Sequence, residues 1–252
     1  MRDAVYHQYA QSFDTHWWAE HRRALVTRFL HQWGVDPDGS HEVLEVGCGA
    51  GTEHAFLHGY GNVTGIEINE TGLGYCKRRG YATLIAGDLN EVALPAQHFD
   101  IAVDFHVLYH AWVLDPAQVL ARMHDALRPG GCLVMSEPAY MLLRRGHDDA
   151  VMAARRWTRS DLLDLVRNAG FNVEVCTGFL TLLAPAVLLS LVGDRLRERN
   201  LAKDTHGDVD ELQPPHPLVD RVLRSVMAVE RQMIRMHPLP VGTCWALVAR
   251  RA

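Results

Sequence analysis

A short glycine-rich turn, EVGCGAG at residues 45–51, is the feature that most constrains how this chain folds. It follows an apolar strand pattern at Val43–Gly47 and precedes a helix predicted from Thr52. Glycines let the backbone turn sharply and let a ligand approach the main chain without a Cβ in the way. Tight packing of a strand on a helix would explain the same glycines. The turn therefore predicts the first strand–turn–helix unit of an open α/β sheet, and a ligand site only if further matches accompany it.

Strand and helix patterns alternate from Glu42 to Thr177, which is typical of a parallel sheet covered by helices on both faces. Further strands are predicted at residues 62–68, 82–86, 100–104, 132–137 and 172–176. Helices are predicted at 74–79, at 116–127 behind the N-cap Asp115, and at 160–169 with Ser160 as its cap. Arg128-Pro129-Gly130-Gly131 ends the second of these helices. The alternation stops at Gly178, and a strand pattern returns at Thr243–Arg250.

These elements predict one α/β domain with a doubly wound, Rossmann-like, mostly parallel seven-stranded sheet and a helical insertion before the last strand. The predicted parts are an N-terminal helical lid at 1–40, a Rossmann-like domain at 41–178 and 241–252, and the insertion at 179–240. The insertion is expected to hold an apolar helix pair, a polar turn around Lys203–Gly207 and a long amphipathic helix at Leu218–Met236.

Carboxylates follow two predicted strands. Glu67 lies at the end of the second strand, twenty positions after Gly47, where a carboxylate is placed to accept both ribose hydroxyls of an adenosine. Gly87-Asp88-Leu89 follows the third strand, and the fourth runs into DFHVLYH at residues 104–110. Ligands of open α/β sheets bind beyond the carboxyl ends of the strands, so we expect these segments to meet there.

Taken together, these motifs and LRPGG before the fifth strand resemble class I S-adenosylmethionine-dependent methyltransferases over residues 42–176. The resemblance implies S-adenosylmethionine as cofactor and S-adenosylhomocysteine as product. Glu45 and the glycine loop would hold the methionine end, Glu67 the ribose, and Asp88 the adenine amino group. The full set of implied cofactor residues is Tyr6, Tyr9, Glu45, Gly47, Cys48, Gly49, Gly51, Glu67, Ile68, Asp88, Leu89, Asp104 and Phe105.

The resemblance also places candidate catalytic residues at His106, Tyr109 and His110, beneath the sulfonium. His106 departs from the family, where a small or acidic residue is commoner. A histidine there would form the active-site wall or act as a general base, or it is a hydrogen-bonded loop residue. His106, Glu137 and Tyr140 are the candidate acceptor contacts. In the N-terminal segment, Tyr6 and Tyr9 are lid candidates, whereas the helical spacing of Phe13 and Trp17 favours packing on the domain.

The composition of the chain limits which classes of binding partner are expected. The net charge of −5 gives no electrostatic reason to expect nucleic acid. Five scattered cysteines without a CxxC indicate neither a zinc site nor a disulfide framework, and favour a reduced, cytoplasmic protein without a metal. The first residues lack the apolar core of a secretory signal. The apolar run at 177–193 is marginal in length for a bilayer span and contains Pro185, so no integral membrane segment is expected.

The sequence thus predicts a methyltransferase acting on oxygen or nitrogen of a small, partly apolar molecule, for example in secondary metabolism. The apolar insertion would cover the acceptor site, form a homodimer contact through 179–240, or be plain core. Two alternatives remain. One is a non-methylating enzyme on the same cofactor, either a cyclase or an aminocarboxypropyl transferase. The other is a non-catalytic pseudo-methyltransferase that only binds.

Overall fold

The computed structural model describes residues 3–198 and 215–252, so the turn predicted around Lys203–Gly207 lies outside the described residues. Seven strands form one sheet in the order β3-β2-β1-β4-β5-β7-β6. Their bounds are β1 (His41–Val46), β2 (Gly61–Glu67), β3 (Thr83–Ala86), β4 (Phe99–Phe105), β5 (Leu127–Pro138), β6 (Phe171–Phe179) and β7 (Cys244–Arg251).

The strands from β1 to β5 pair in parallel, and β7 runs antiparallel between β5 and β6. This confirms the predicted mostly parallel seven-stranded sheet. The described helices are α1 (Asp3–Ser12), α2 (Trp17–Gln32), α3 (His54–His58), α4 (Glu70–Arg79), α5 (Pro116–Ala126), α6 (Gly146–Ala150), α7 (Arg159–Asn168), α8 (Ala184–Glu198) and α9 (Pro217–Met236).

Both faces of the sheet are buried, because successive side chains of a strand point to opposite faces. In β1, Val43 belongs to a core shared with α2 and α9, while Leu44 belongs to a second core shared with α5 and α7. Both side chains are fully buried. This alternation explains why the strands read as continuous apolar runs and why helices lie on both sides.

Two local predictions were wrong. The N-cap of α7 is Thr158, whose hydroxyl accepts the amide N–H of Asp161, and Ser160 lies inside the helix. The helix α5 ends as predicted, just before Arg128, but the fifth strand begins at Leu127, which is paired with Phe99, and not at Cys132. A register shift in β4 between Phe99 and Ile101 accommodates residues 128–131 in the strand.

The segment between β6 and β7 leaves the sheet and returns to it at the same place. Phe179, the last residue of β6, pairs with Cys244, the first of β7, at the carboxyl edge of the parallel strands. Gly178 is required here, because a Cβ would lie 2.1 Å from the carbonyl oxygen of Val241. The described part of this segment contains α8 and α9. Among the residues that the structure describes, no helix combines the length and apolarity needed to cross a membrane.

Candidate active site

A pocket opens at the carboxyl ends of β1, β2 and β4, beneath α1 and α2; we call it the glycine-loop pocket. It encloses about 970 Å³ of empty space, counting its open mouth. Most of the residues predicted from the sequence line it, namely Tyr6, Tyr9, Glu45, Gly47, Cys48, Gly49, Glu67, Ile68, Asp88, Leu89, Phe105, His106, Tyr109 and His110. The expectation that these strand ends converge is therefore met.

Glu67 is held at the pocket wall by four hydrogen bonds. Its Oε2 accepts the backbone N–H of Gly49 at 2.9 Å. Its Oε1 accepts the N–H of Ile68 at 3.0 Å and of Asn69 at 2.8 Å, and the hydroxyl of Tyr6 at 3.1 Å. Burial raises the pKa of Tyr6, with Glu67 adding to the shift, so the phenol remains a donor. The glycine loop, β2 and the first helix are thereby fixed to one carboxylate.

Gly47 supplies the close approach that the glycine loop requires. Its φ is +58°, and a Cβ there would lie 2.7 Å from both γ-methyl groups of Val107. Gly49 differs, since a Cβ there would meet only the carbonyl oxygen of Gly47, at 3.8 Å. The first glycine brings β1 against the loop after β4, and the second leaves space in the pocket for a ligand.

The deep end of the glycine-loop pocket carries Glu45 and Glu53. Burial raises the pKa of Glu45 to about 8, although its Oε2 accepts the hydroxyl of Tyr81 at 2.6 Å. Burial acts in the same direction on Glu53, but the guanidinium groups of Arg22 and Arg23 outweigh it and lower the pKa of Glu53. One carboxyl is thus protonated near neutral pH and the other is ionised within a buried ion pair.

Arg22 is a site residue that the sequence analysis missed. Its guanidinium donates to Glu53 at 2.7 Å and lies 4.4 Å from the ring centre of Phe105 and 4.8 Å from that of Trp18. Its Nε is buried and has no hydrogen-bond partner among the described residues. The side chain lines the pocket and is 97% buried, with 3% exposed. It therefore presents an unused N–H donor beside the acids.

At the opposite end, Asp88 and Leu89 line the pocket beside Ile68, whose side chain is largely exposed. Asp88 Oδ1 accepts the backbone N–H and the side-chain amide of Asn90, which fixes the carboxylate. Trp112, which the sequence analysis did not single out, closes this end and stacks on His110 at 3.8 Å between ring centres. Burial lowers the pKa of His110 to about 3, so this ring is neutral.

Four of the predicted residues line neither this pocket nor the neighbouring one described below: Gly51, Asp104, Glu137 and Tyr140. Glu137 points into the protein, where its Oε1 accepts the N–H groups of Val107 and Leu108, at 3.0 and 3.1 Å. Asp104 Oδ1 accepts the same N–H of Val107. Burial raises the pKa of both carboxyls, that of Asp104 to about 7.

The other two residues, Gly51 and Tyr140, have packing contacts. A Cβ at Gly51 would lie 2.9 Å from the ring of Tyr81, and the ring of Tyr140 lies edge-on to Trp245. Asp104 and Glu137 support the loop at 106–110, whereas Gly51 and Tyr140 pack elsewhere. Their contacts give them structural positions behind the pocket, not positions at its surface.

A second pocket, which we call the roof pocket, adjoins the first. Its apolar lining comes from Phe13, Trp17, Trp18, Pro138, Leu143, Leu180, Leu183 and Val187. Its polar lining comes from Tyr9, His16, His106, Tyr109, Arg145, His147, Asp148, Arg156, Thr243 and Cys244. Tyr9, Phe13, Trp18, His106 and Tyr109 line both pockets. Phe13 and Trp17, expected only to pack, therefore also line a pocket.

His106 lies in the wall between the two pockets. Its φ is +63°, a left-handed conformation uncommon for a residue with a Cβ. Its Nδ1 lies 2.9 Å from the Ser136 hydroxyl, its Nε2 lies 3.7 Å from Cys244 Sγ, and its ring packs edge-on to Trp18. Burial lowers the pKa of His106 well below its usual value, and Arg22 and Arg156 lower it further. The imidazole is therefore neutral.

Comparison with known proteins gives the site its context. A family model described as a methyltransferase domain matches residues 44–135. A probable S-adenosylmethionine-dependent methyltransferase of Mycolicibacterium smegmatis is 28% identical over 66% of this chain and 63% of its own length. A fatty-acid O-methyltransferase of the same organism is 27% identical over 61% of this chain and 58% of its own.

A crystal structure of an S-adenosylmethionine-dependent methyltransferase from Mesorhizobium loti matches with a TM-score of 0.60 at 18% identity, covering 94% of this chain and 99% of that one. This likeness concerns the fold. The chain spans less than two thirds of the length of the two curated relatives described above. The family match itself covers β1 to β5, the part of the sheet that builds the glycine-loop pocket.

Proposed function

We propose that this chain, whose residues 44–135 match a methyltransferase domain, uses S-adenosylmethionine to methylate oxygen or nitrogen of a small, partly apolar molecule. The observation that carries the proposal is the pair of adjoining pockets with a shared wall of Tyr9, Phe13, Trp18, His106 and Tyr109. One pocket carries groups that suit the cofactor, and the other combines a large apolar surface with polar side chains. A methyl group would pass from one pocket to the other at this shared wall.

The residues of the glycine-loop pocket fit the cofactor. Gly49 leaves its side of the pocket free of a side chain, and the buried Nε of Arg22 offers a donor to the cofactor's carboxylate. Glu45, once ionised, would hold the methionine ammonium, and Glu67 would accept the ribose hydroxyls. Asp88 would accept the adenine amino group, with Leu89 against the ring. When bound, S-adenosylmethionine supplies an electrophilic methyl group on a sulfonium.

The protein's contribution to such a reaction is positioning and exclusion of water. The aromatic wall lies between the lid helices and the loop at 106–110, and that loop is fixed by the buried Asp104 and Glu137. The roof pocket would hold the acceptor against the same wall. The name of one curated relative, a fatty-acid O-methyltransferase, favours oxygen as the receiving atom. Five free, buried cysteines support a reduced, cytoplasmic setting.

The first test is calorimetric titration with S-adenosylmethionine and, separately, with S-adenosylhomocysteine. We expect both to bind with dissociation constants in the micromolar range, about −8 kcal/mol. Transfer of a labelled methyl group to a panel of small apolar alcohols, acids and amines would then identify the acceptor class. A folded protein that binds neither ligand contradicts the proposal, and binding without transfer to any acceptor favours a pseudo-methyltransferase.

A further inference from the structure

The two ring nitrogens of His106 have different neighbours. Nδ1 faces the hydroxyl of Ser136 at 2.9 Å, and Nε2 faces the Cys244 sulfur at 3.7 Å. Cys244 lines the roof pocket and not the glycine-loop pocket. The Nε2 edge of the imidazole is therefore the edge on the side of the roof pocket. Whichever nitrogen carries the proton decides whether this edge donates or accepts a hydrogen bond.

Ser136 determines which nitrogen that is. Its hydroxyl is fully buried, and besides His106 its side-chain neighbour is Arg22, whose Nη1 approaches at 3.5 Å. A guanidinium only donates, so among the described contacts the hydroxyl proton has one acceptor, Nδ1 of His106. A proton on Nδ1 would leave that buried hydroxyl proton without an acceptor and gain only a weak thiol donor, Cys244, for Nε2. The contacts therefore favour a proton on Nε2.

We propose, on the basis of the proposed function, that His106 is a neutral Nε2–H donor to a methyl acceptor that arrives as an apolar carboxylate, so the product is a methyl ester. His106 then binds and aligns the nucleophilic oxygen instead of removing a proton from it. The sequence alone allows a general base at this position, and the contacts of Ser136 favour the opposite role.

The groups packed around His106 agree with this role. Arg22 approaches from α2, Arg156 from the segment before α7, Cys244 from β7, and Tyr109 and His110 from the same loop. Burial, followed by the charges of Arg22 and Arg156, holds the pKa of His106 well below its usual value. Burial likewise raises the pKa of Cys244 to about 12, so the thiol stays protonated.

The carboxylate of the roof pocket is not available to remove a proton. Asp148 is the one acidic residue among the described lining residues, and it is 2% exposed. Its oxygens accept from Arg156 Nε and Nη2, both at 2.9 Å, and from the backbone N–H of Arg145 at 2.7 Å. A carboxylate substrate needs no base, because its pKa of about 4 to 5 leaves it ionised at neutral pH.

The proposed step balances without a proton acceptor. A carboxylate oxygen of the substrate forms a bond to the methyl carbon as the bond between that carbon and sulfur breaks, with its electron pair left on sulfur. The products are a neutral methyl ester and S-adenosylhomocysteine, and no proton is released. The body of the acid would lie against the apolar lining of the roof pocket, which includes Trp17, Leu180 and Leu183.

The decisive assay compares acids with alcohols and amines that share the same alkyl or phenylalkyl body, using labelled S-adenosylmethionine and mass spectrometry of the products. We expect methyl esters as products. The value of kcat/KM for the acid should be at least about 100-fold above that for the alcohol or amine, because a site built to hydrogen-bond one substrate group rejects analogues that lack this group by even larger factors. Methylation of alcohols or amines in preference to acids overturns this inference and leaves the proposed function intact. Absence of cofactor binding overturns both.

The pH profile of the wild-type enzyme gives a second criterion. With an acid as acceptor and S-adenosylmethionine kept saturating at every pH, kcat/KM for the acid should stay level from about pH 8 to about pH 5, where the substrate's own carboxyl begins to protonate. A fall near about pH 6.5 would indicate that a histidine with an ordinary pKa removes a proton, and a fall at another pH would indicate that another group does. Such a fall would overturn the role proposed for His106.

Nitrogen-15 NMR of histidine-labelled protein reads the tautomer without any reaction. We expect the His106 signals, assigned with His106→Gln, to report a proton on Nε2, and Ser136→Ala to shift the ring toward the Nδ1–H form. His106→Gln keeps an N–H donor and should retain acid binding within about tenfold, whereas His106→Leu should lose more. An Nδ1–H signal in the wild type, or equal binding by both variants, overturns the proposal.

Discussion

The glycine-loop pocket and the roof pocket share a wall but differ in charge and in origin. The first is acidic, with Glu45, Glu53, Glu67 and Asp88 in its lining, whereas Asp148 is the one acid among the described lining of the second. The first is built mainly from strand ends and the turns that follow them. The second collects side chains from α1 to α2, the loop after β4, the segment after β5, the start of the insertion and β7.

The two pockets therefore have separate determinants. An acidic pocket suits a cofactor that brings a sulfonium and an ammonium group, and a pocket with arginines and apolar side chains suits an acceptor of the opposite charge. Substitutions in one pocket should therefore leave binding in the other nearly unchanged, except along the shared wall. The predictions below test that separation.

The largest effect is expected for Gly47→Ala. The left-handed backbone costs about 1–2 kcal/mol with a Cβ, and the contact with Val107 adds about 1–3 kcal/mol. We expect Tm to fall by roughly 10 °C in differential scanning calorimetry. Val107→Ala in the same chain should restore part of the loss. Gly74→Ala, inside α4 with space for a Cβ, is the control and should not lower Tm.

Glu67→Ala should weaken binding of S-adenosylhomocysteine by about 1–3 kcal/mol, roughly 5- to 150-fold, because charge-assisted hydrogen bonds are lost. Calorimetric titration measures the change. Glu70→Ala removes an exposed carboxylate from the same region and should leave the affinity as in the wild type. If Glu67→Ala bound as tightly as the control variant, the ribose assignment would be wrong.

Glu45 should couple cofactor binding to pH. Its pKa of about 8 means that the free protein holds a proton there at pH 7, and the cofactor's ammonium group would favour its release. Affinity should therefore rise from pH 7 to pH 9. Titration in buffers of different ionisation enthalpy should show proton release at pH 7, and Glu45→Gln should show none. Equal proton release in both proteins would place the titrating group elsewhere.

The same carboxyl affects stability. A pKa raised on folding means that the contribution of Glu45 is fully present below its unfolded value of 4.5 and is lost as pH rises through about 8. Between pH 5 and pH 8, Tm of the wild type should fall relative to Tm of Glu45→Gln. Thermal melts of both proteins across this range measure the difference, and parallel curves would contradict the burial of an uncharged carboxyl.

The smallest effect is expected for Leu183→Phe, which adds volume to the roof pocket. KM for the acceptor should rise several-fold, with affinity for S-adenosylhomocysteine unchanged. Leu182→Phe is the matched control, because its side chain is partly exposed and does not line the pocket. A loss of cofactor affinity in Leu183→Phe would show that the two pockets are not separate.

The glycine-loop pocket was predictable because its chemistry is local. Glu67 and Asp88 follow their strands directly, so predicting the strands also predicts where these carboxylates meet. Glu137 has the same kind of position but points inward, because the N–H groups of Val107 and Leu108 need an acceptor. Which way a residue at a strand end points depends on the neighbouring loop, and no pattern within its own strand contains that information.

Arg22 and most of the lining of the roof pocket were not predicted, because they depend on how distant segments pack. The sequence did contain one signal. Trp18, Arg22, Leu25 and Phe29 share one face of α2, and a charged residue within an apolar stripe indicates a buried partner. That partner, Glu53, lies beyond β1, so a single sequence could indicate its existence but not its identity.

The antiparallel direction of β7 bears on how such a protein can be altered. Since β6 ends and β7 begins side by side, the chain between them leaves the sheet and rejoins it at one place. Its length can change without moving β6 or β7, because the ends to be joined stay adjacent. Residues 180–243 could therefore be exchanged between proteins of this architecture as an interchangeable cassette, provided that the apolar face of α9 that packs in the core with α2 is kept. The part of the roof pocket lined by Leu180, Leu183, Val187 and Thr243 would be inherited with the cassette, while His106 and the site for the methyl donor stay with the recipient.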